Sequence, residues 1–121
     1  MIFYTDKFIP KRFAAFTLGL VIFIRPAYSL DKGLCEHEKV HVHQFKTDLL
    51  YSLRYTLSKK WRLKYEAEAY AEQMRWAFDK DKARVLFAGY LVDKYKLGIT
   101  TEQALAALDI ALAKRQLKQP Q

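Results

Sequence analysis

His37-Glu38-Lys39-Val40-His41 sets two imidazoles four residues apart, with a carboxylate next to the first. On a helix, side chains four apart lie one turn above each other, so both imidazoles can meet one ion. Neutral imidazole suits Zn²⁺, and a catalytic zinc takes three protein ligands and keeps a fourth position open. Zinc in such a setting acidifies a water toward neutral pH and polarises a substrate carbonyl. Glu38 follows His37 by about 100° of helix rotation. That turns it between the imidazole face and an apolar side of Leu34, Val42, Phe45 and Leu49, where a general base would stand. The competing reading is a solvent-facing Glu38 in a chance HExxH.

A third ligand has to come from elsewhere, and Tyr65-Glu66-Ala67-Glu68-Ala69-Tyr70 offers two glutamates. Two residues apart, they diverge by about 200° around a helix, so only one can face the ion. With Leu63, Ala67, Tyr70 and Met74 as the apolar side, Glu66 borders it and Glu68 points nearly opposite. The expected set is therefore His37, His41 and Glu66, with Glu68 as a surface charge. His43, two residues past His41, projects to another side and reads as a partly exposed histidine.

Holding these groups requires helices. Asp31 can cap the first, whose periodicity runs on to Leu57 or breaks near Thr47, because no Gly or Pro stops it. A second helix is expected over residues 61–78. A third covers 82–97, capped by Asp79 or Asp81, with Val85, Leu86, Gly89, Val92 and Tyr95 partly inward and Gly98 ending it. Thr100 with Gln103 forms a capping-box pattern that opens a fourth helix over 101–115, and 116–121 reads as a frayed tail. Ahead of them, residues 13–24 are apolar. Phe16, Thr17 and the run Val21-Ile22-Phe23-Ile24, interrupted by Gly19, predict two short strands.

The chain of 121 residues, 51% hydrophobic and 15% aromatic, suffices for one compact core. The twelve residues of 13–24 are too few for a bilayer span, and Arg25 and Pro26 follow at once. Lys11 and Arg12 ahead of that stretch also match a secretion signal ending near Ser29. The single cysteine, Cys35, excludes an internal disulfide and makes a reducing, cytoplasmic setting natural; its place on the apolar side reads as a packed thiol. Lys and Arg exceed Asp and Glu by 21 to 13, a formal +8 that favours acidic partners, among them nucleic acid or anionic membrane. A solvated basic face and cations snorkelling over a helix junction near Arg54, Trp61 and Lys64 are the plainer reading.

The single HExxH followed by Glu66-Ala67-Glu68-Ala69 resembles the gluzincin metallopeptidases, in particular minimal versions found in bacterial and phage proteins. Val21-Ile22-Phe23-Ile24-Arg25-Pro26 is similar to the strand and turn that precede the HExxH helix in those domains, so the likeness spans residues 19–75, with weaker support over 97–104. The resemblance implies zinc on His37, His41 and Glu66, with Glu38 as catalytic base. Tyr70 departs from it, because many relatives carry there an aspartate that orients a ligand histidine. Asp48, on a polar stripe with His37, His41 and Gln44, could take over that task. Tyr70 could instead donate its hydroxyl to a developing oxyanion, or simply pack.

The expected protein is a single α+β domain, mainly helical and zincin-like, with a short strand pair beside the HExxH helix. Its expected reaction is zinc-dependent hydrolysis of a peptide or protein substrate, in a cleft that is shallow or completed by a protein partner. The alternatives are a basic helical module for nucleic acid or an acidic protein, and a zinc-stabilised component without catalysis.

Overall fold

Residues 13–24 fold back on themselves at Gly19, whose φ of +62° belongs to the left-handed region. A Cβ there would also stand 3.5 Å from the Phe45 ring. The computed structural model describes residues 1–118. The hairpin consists of β2 (Ala15–Leu18) and β3 (Val21–Ile24), paired antiparallel from Ala15 with Ile24 to Leu18 with Val21. A further strand, β1 (Ile2–Tyr4), lies parallel to β3, giving the order β1-β3-β2. The sheet thus has three strands where the pattern predicted two; three residues at the very start carry too little alternation to read as a strand. β2 is left as an edge.

Arg25 ties this sheet together. Its guanidinium donates to the carbonyls of Phe13, Ile9, Pro10 and Asp6 and pairs with the Asp6 carboxylate, satisfying acceptors of the loop between β1 and β2.

Five α-helices follow among the described residues: α1 (Lys32–Thr47), α2 (Tyr51–Leu57), α3 (Lys59–Met74), α4 (Lys80–Asp93) and α5 (Thr101–Lys118). The protein is mainly helical with one small sheet, as the sequence implied. Asp31 caps α1 through the Leu34 amide, Asp79 caps α4 through the Lys82 amide, and Thr100 and Gln103 exchange both bonds of a capping box at α5. Leu34, Cys35 and Val42 of α1 pack on Ala15, Ile22 and Ile24 of the sheet. The larger core joins α3, α4 and α5 around Tyr70, Met74, Phe87, Leu91 and Leu108.

Several boundaries and faces differ from expectation. α3 begins two residues earlier and stops at Met74, which leaves Phe78 exposed. α4 ends at Asp93 rather than Leu97, because the chain turns through Lys96 (φ +56°) and Gly98 (φ +64°) to bring Tyr95 and Leu97 into the core. Its buried face is Ala83, Phe87, Ala88 and Leu91; Val85 and Leu86 are exposed. α5 runs past Arg115 to Lys118, and the remainder of the expected frayed tail, residues 119–121, lies outside the described residues. Phe45 and Leu49, expected on the apolar side of the first helix, are exposed.

Replacing Arg25 by Met keeps the stem but strips the donors from partly buried carbonyls. A loss of about 2 kcal/mol is expected, read as a lower urea midpoint with unchanged denaturant slope.

Candidate metal centre

His37 and His41 sit one turn apart on the buried side of α1, and Glu66 faces them from α3. The Nε2 atoms of the two histidines are 3.3 Å apart, and Glu66 Oε1 stands 3.4 Å from the first and 3.1 Å from the second. The three atoms form a nearly equilateral triangle. A tetrahedral zinc with bonds of about 2.0–2.1 Å separates its ligands by roughly 3.3–3.4 Å, so an ion above this face would reach all three without rearrangement. The donors fit a metal ion, and two imidazoles with one carboxylate are a set that suits zinc.

Each donor is held from behind. Gln44 Oε1 lies 2.9 Å from His41 Nδ1, which fixes a proton there and makes Nε2 the nitrogen that would meet an ion. The Gln44 amide nitrogen in turn donates to the Tyr65 carbonyl and to Glu68 Oε2. Glu68, expected as a bare surface charge, is half-buried and supports this chain. Tyr55 donates its hydroxyl to Glu66 Oε2 at 2.5 Å, occupying the second oxygen and leaving Oε1 to the histidines. Tyr51 places its hydroxyl 3.3 Å from His41 Nδ1. His37 differs: its Nδ1 is buried without a partner, and its ring packs edge-on against Tyr70 with centroids 4.4 Å apart.

Asp48 is not the residue that orients a histidine. Its carboxylate accepts from the Leu50 amide, Arg54 and the Tyr65 hydroxyl, at the end of α1. Tyr70 lies in the core with its hydroxyl bonded to that of Tyr95 at 2.6 Å, so the phenols that reach the donors are Tyr51 and Tyr55 instead. His43 is exposed. Glu38 is buried, accepts from the Thr17 hydroxyl of β2 at 3.0 Å, and lines a cavity of about 320 Å³ together with His37, His41 and Glu66. β2 and α2 form the walls of that cavity.

Sequence reasoning missed Thr17, Tyr51, Tyr55 and the task of Gln44. For Gln44 a signal existed, since it follows His41 by three residues on the same helix face. For the tyrosines none did, because they reach the site only after the chain reverses at Asp48.

Without a metal the three groups share charge. Burial alone would lower the basicity of His41, but the neighbouring Glu66 carboxylate outweighs it and raises its pKa from 6.5 to about 9. Burial would raise the Glu66 pKa, yet His41 and then His37 hold it well below the usual 4.5. The metal-free centre is therefore a buried imidazolium–carboxylate pair, and a metal ion would replace the proton. Comparison with protein-family models, curated proteins and solved structures gives no match for this chain.

These shifts set opposite pH trends. The raised pKa of His41 stabilises the metal-free fold fully below 6.5 and is lost as pH rises through about 9; the depressed pKa of Glu66 contributes above 4.5 and is lost below it. In EDTA, thermal stability should peak between pH 4.5 and 6.5 and fall toward pH 9, whereas the added stability from zinc should grow over that same rise. A zinc increment independent of pH would contradict the assignment. Gln44→Leu should weaken zinc by about 10–100-fold in a competition titration with a chromophoric chelator.

Proposed function

We propose that this chain is a zinc-dependent hydrolase of peptide bonds, a minimal zincin-like domain of the gluzincin kind. The observation that carries the reading is the convergence of His37 Nε2, His41 Nε2 and Glu66 Oε1 at tetrahedral spacing, on a cavity that Glu38 also lines. Zinc held there would acidify a water and polarise the scissile carbonyl.

The chain's own groups divide the remaining work. Glu38 takes the proton from the attacking water and returns it to the leaving amine, and Thr17 holds the carboxylate toward the cavity by its hydroxyl. Glu66 is kept on one oxygen by Tyr55. Of the two phenols at the centre, Tyr55 is committed to Glu66, so Tyr51 is the one free to donate to a developing oxyanion. Burial first, then the Glu66 and Glu38 charges, push the Tyr51 pKa far above 10, so the phenol keeps its proton. The free edge of β2 borders the cavity and offers an extended peptide its unpaired backbone groups. Tyr70 has no part in the chemistry; it packs His37.

The cavity is small and open, so the isolated chain should cleave generic peptides weakly. Glu38→Gln should reduce hydrolysis of a quenched-fluorescent peptide library by at least about 10³-fold while one zinc per chain stays bound by elemental analysis. Unchanged turnover in that variant would remove Glu38 from its role, and absence of zinc from wild-type protein would remove the whole reading. Tyr70→Phe should leave turnover within a few-fold of wild type.

A further inference from the structure

α2 turns Tyr51 and Tyr55 inward to His41 and Glu66, and what it leaves outside is apolar. Leu50, Leu53 and Leu57, spaced by three and four residues, are 48%, 58% and 74% exposed, and Leu49 just before them is 100% exposed. Across the same cavity Leu18 of β2 is exposed too, as is Leu20 in the turn of that hairpin. Nothing within the described residues covers this ridge, and exposed leucines at helical spacing on an element that walls a cavity mark a surface that meets something apolar.

The charge around the ridge says what that is. Between residues 40 and 65 the cations are Lys46, Arg54, Lys59, Lys60, Arg62 and Lys64 against the single acid Asp48, so six minus one leaves +5 of the chain's formal +8. Arg54 is paired with Asp48, and Arg62 donates to the backbone carbonyls of Tyr55, Thr56 and Tyr95. The four lysines are exposed and have no acidic partner among the described residues. We propose that this face docks on an anionic lipid bilayer, the leucines of α2 and the hairpin entering the acyl boundary while Lys46, Lys59, Lys60 and Lys64 reach headgroup phosphates. Nucleic acid fits it less well. The Trp61 ring is covered by Arg54 at 4.2 Å and Lys64 at 4.7 Å, Tyr51 and Tyr55 face inward, and leucines give bases no stacking platform. A second copy would bring +5 against +5. Docking in this orientation brings the cavity that α2 walls to the lipid surface, and it stands whatever chemistry the metal centre performs.

The test is co-sedimentation of the full chain with phosphatidylcholine vesicles, with and without about 30 mol% phosphatidylglycerol. Binding is expected only to the anionic vesicles, weakening as salt is raised. Leu53→Asp with Leu57→Asp should weaken it at least about tenfold, with helical content unchanged by circular dichroism because both side chains are exposed. Leu49→Asp, outside any helix, is the second variant and should act in the same direction. Lys59→Glu with Lys60→Glu should weaken it by more than about twentyfold. A tryptophan introduced as Leu53→Trp should be quenched by brominated acyl chains. The proposal is overturned by failure to bind anionic vesicles, or by binding indifferent to the leucine changes. A leucine-dependent dimer in sedimentation velocity without lipid, or tighter leucine-dependent capture of single-stranded RNA, would overturn it equally.

Discussion

The Glu66 carboxylate, 3% exposed at the crossing of α1 and α3, is the group around which the rest of this molecule is arranged. A buried anion is tolerated only with a cation and hydrogen bonds to its oxygens. Here one oxygen faces two imidazoles and the other takes the Tyr55 hydroxyl. The requirement is met by a metal ion, or in its absence by a proton on His41, and in both cases α3 must lie within side-chain reach of α1. Ala67, Ala69 and Ala71, all nearly without exposure, give α3 the slim flanks that let it pack there and against α4 and α5 as well. The alternation of glutamate and alanine in this helix thus serves the site and the core together.

The second constraint is the reversal at Asp48. Had α1 continued to Leu57, Tyr51 and Tyr55 would lie ~15 and ~21 Å beyond His41 along the axis, at 1.5 Å per residue. Instead Asp48 adopts an extended conformation, accepts from the Leu50 amide, and is gripped by Arg54 and Tyr65. α2 then returns over the site. Arg62 secures the return by donating to the carbonyls of Tyr55 and Thr56 at the end of α2 and of Tyr95 beyond α4.

The parts legible in the sequence were those that depend on local periodicity. Two histidines four apart have to share a helix face, and the apolar side made by Leu63, Ala67, Tyr70 and Met74 favours Glu66 over Glu68 as the inward carboxylate. Caps at Asp31 and Thr100 read correctly because a capping side chain acts within three residues, and of the two candidates Asp79 and Asp81 it is Asp79 that caps α4. What stayed hidden depends on contacts distant in sequence. The break after Thr47 stands in the sequence as only one of two alternatives, because no Gly or Pro marks it and the Asp48 carboxylate is held by Tyr65 seventeen residues away as well as by Arg54 and the Leu50 amide. The inward face of α4 was displaced because alanines 83 and 88 become core only through α3 and α5, while Val85 and Leu86 look apolar in isolation. For the same reason the hydroxyls that reach the donors are those of Tyr51 and Tyr55 and not that of Tyr70.

The two histidines emerge unequal, and the cause is the tyrosine at position 70. His41 is fixed through a relay of Gln44, Glu68 and the Tyr65 carbonyl, which holds its Nδ1–H and keeps Nε2 turned toward Glu66 whether that nitrogen carries a proton or meets an ion. Behind its ring His37 has only the edge of Tyr70 and an unpartnered Nδ1, because the Tyr70 hydroxyl is turned away to Tyr95. Packing fixes the plane of that ring, and its polar contacts lie on the Nε2 side alone, with Glu66 Oε1 at 3.4 Å and His41 Nε2 at 3.3 Å. The centre therefore has an anchored half, His41 with Glu66, and a half held at Nε2 with no hydrogen bond at Nδ1. The less constrained donor is thus the one next to Glu38, whose carboxylate the edge strand β2 holds through Thr17.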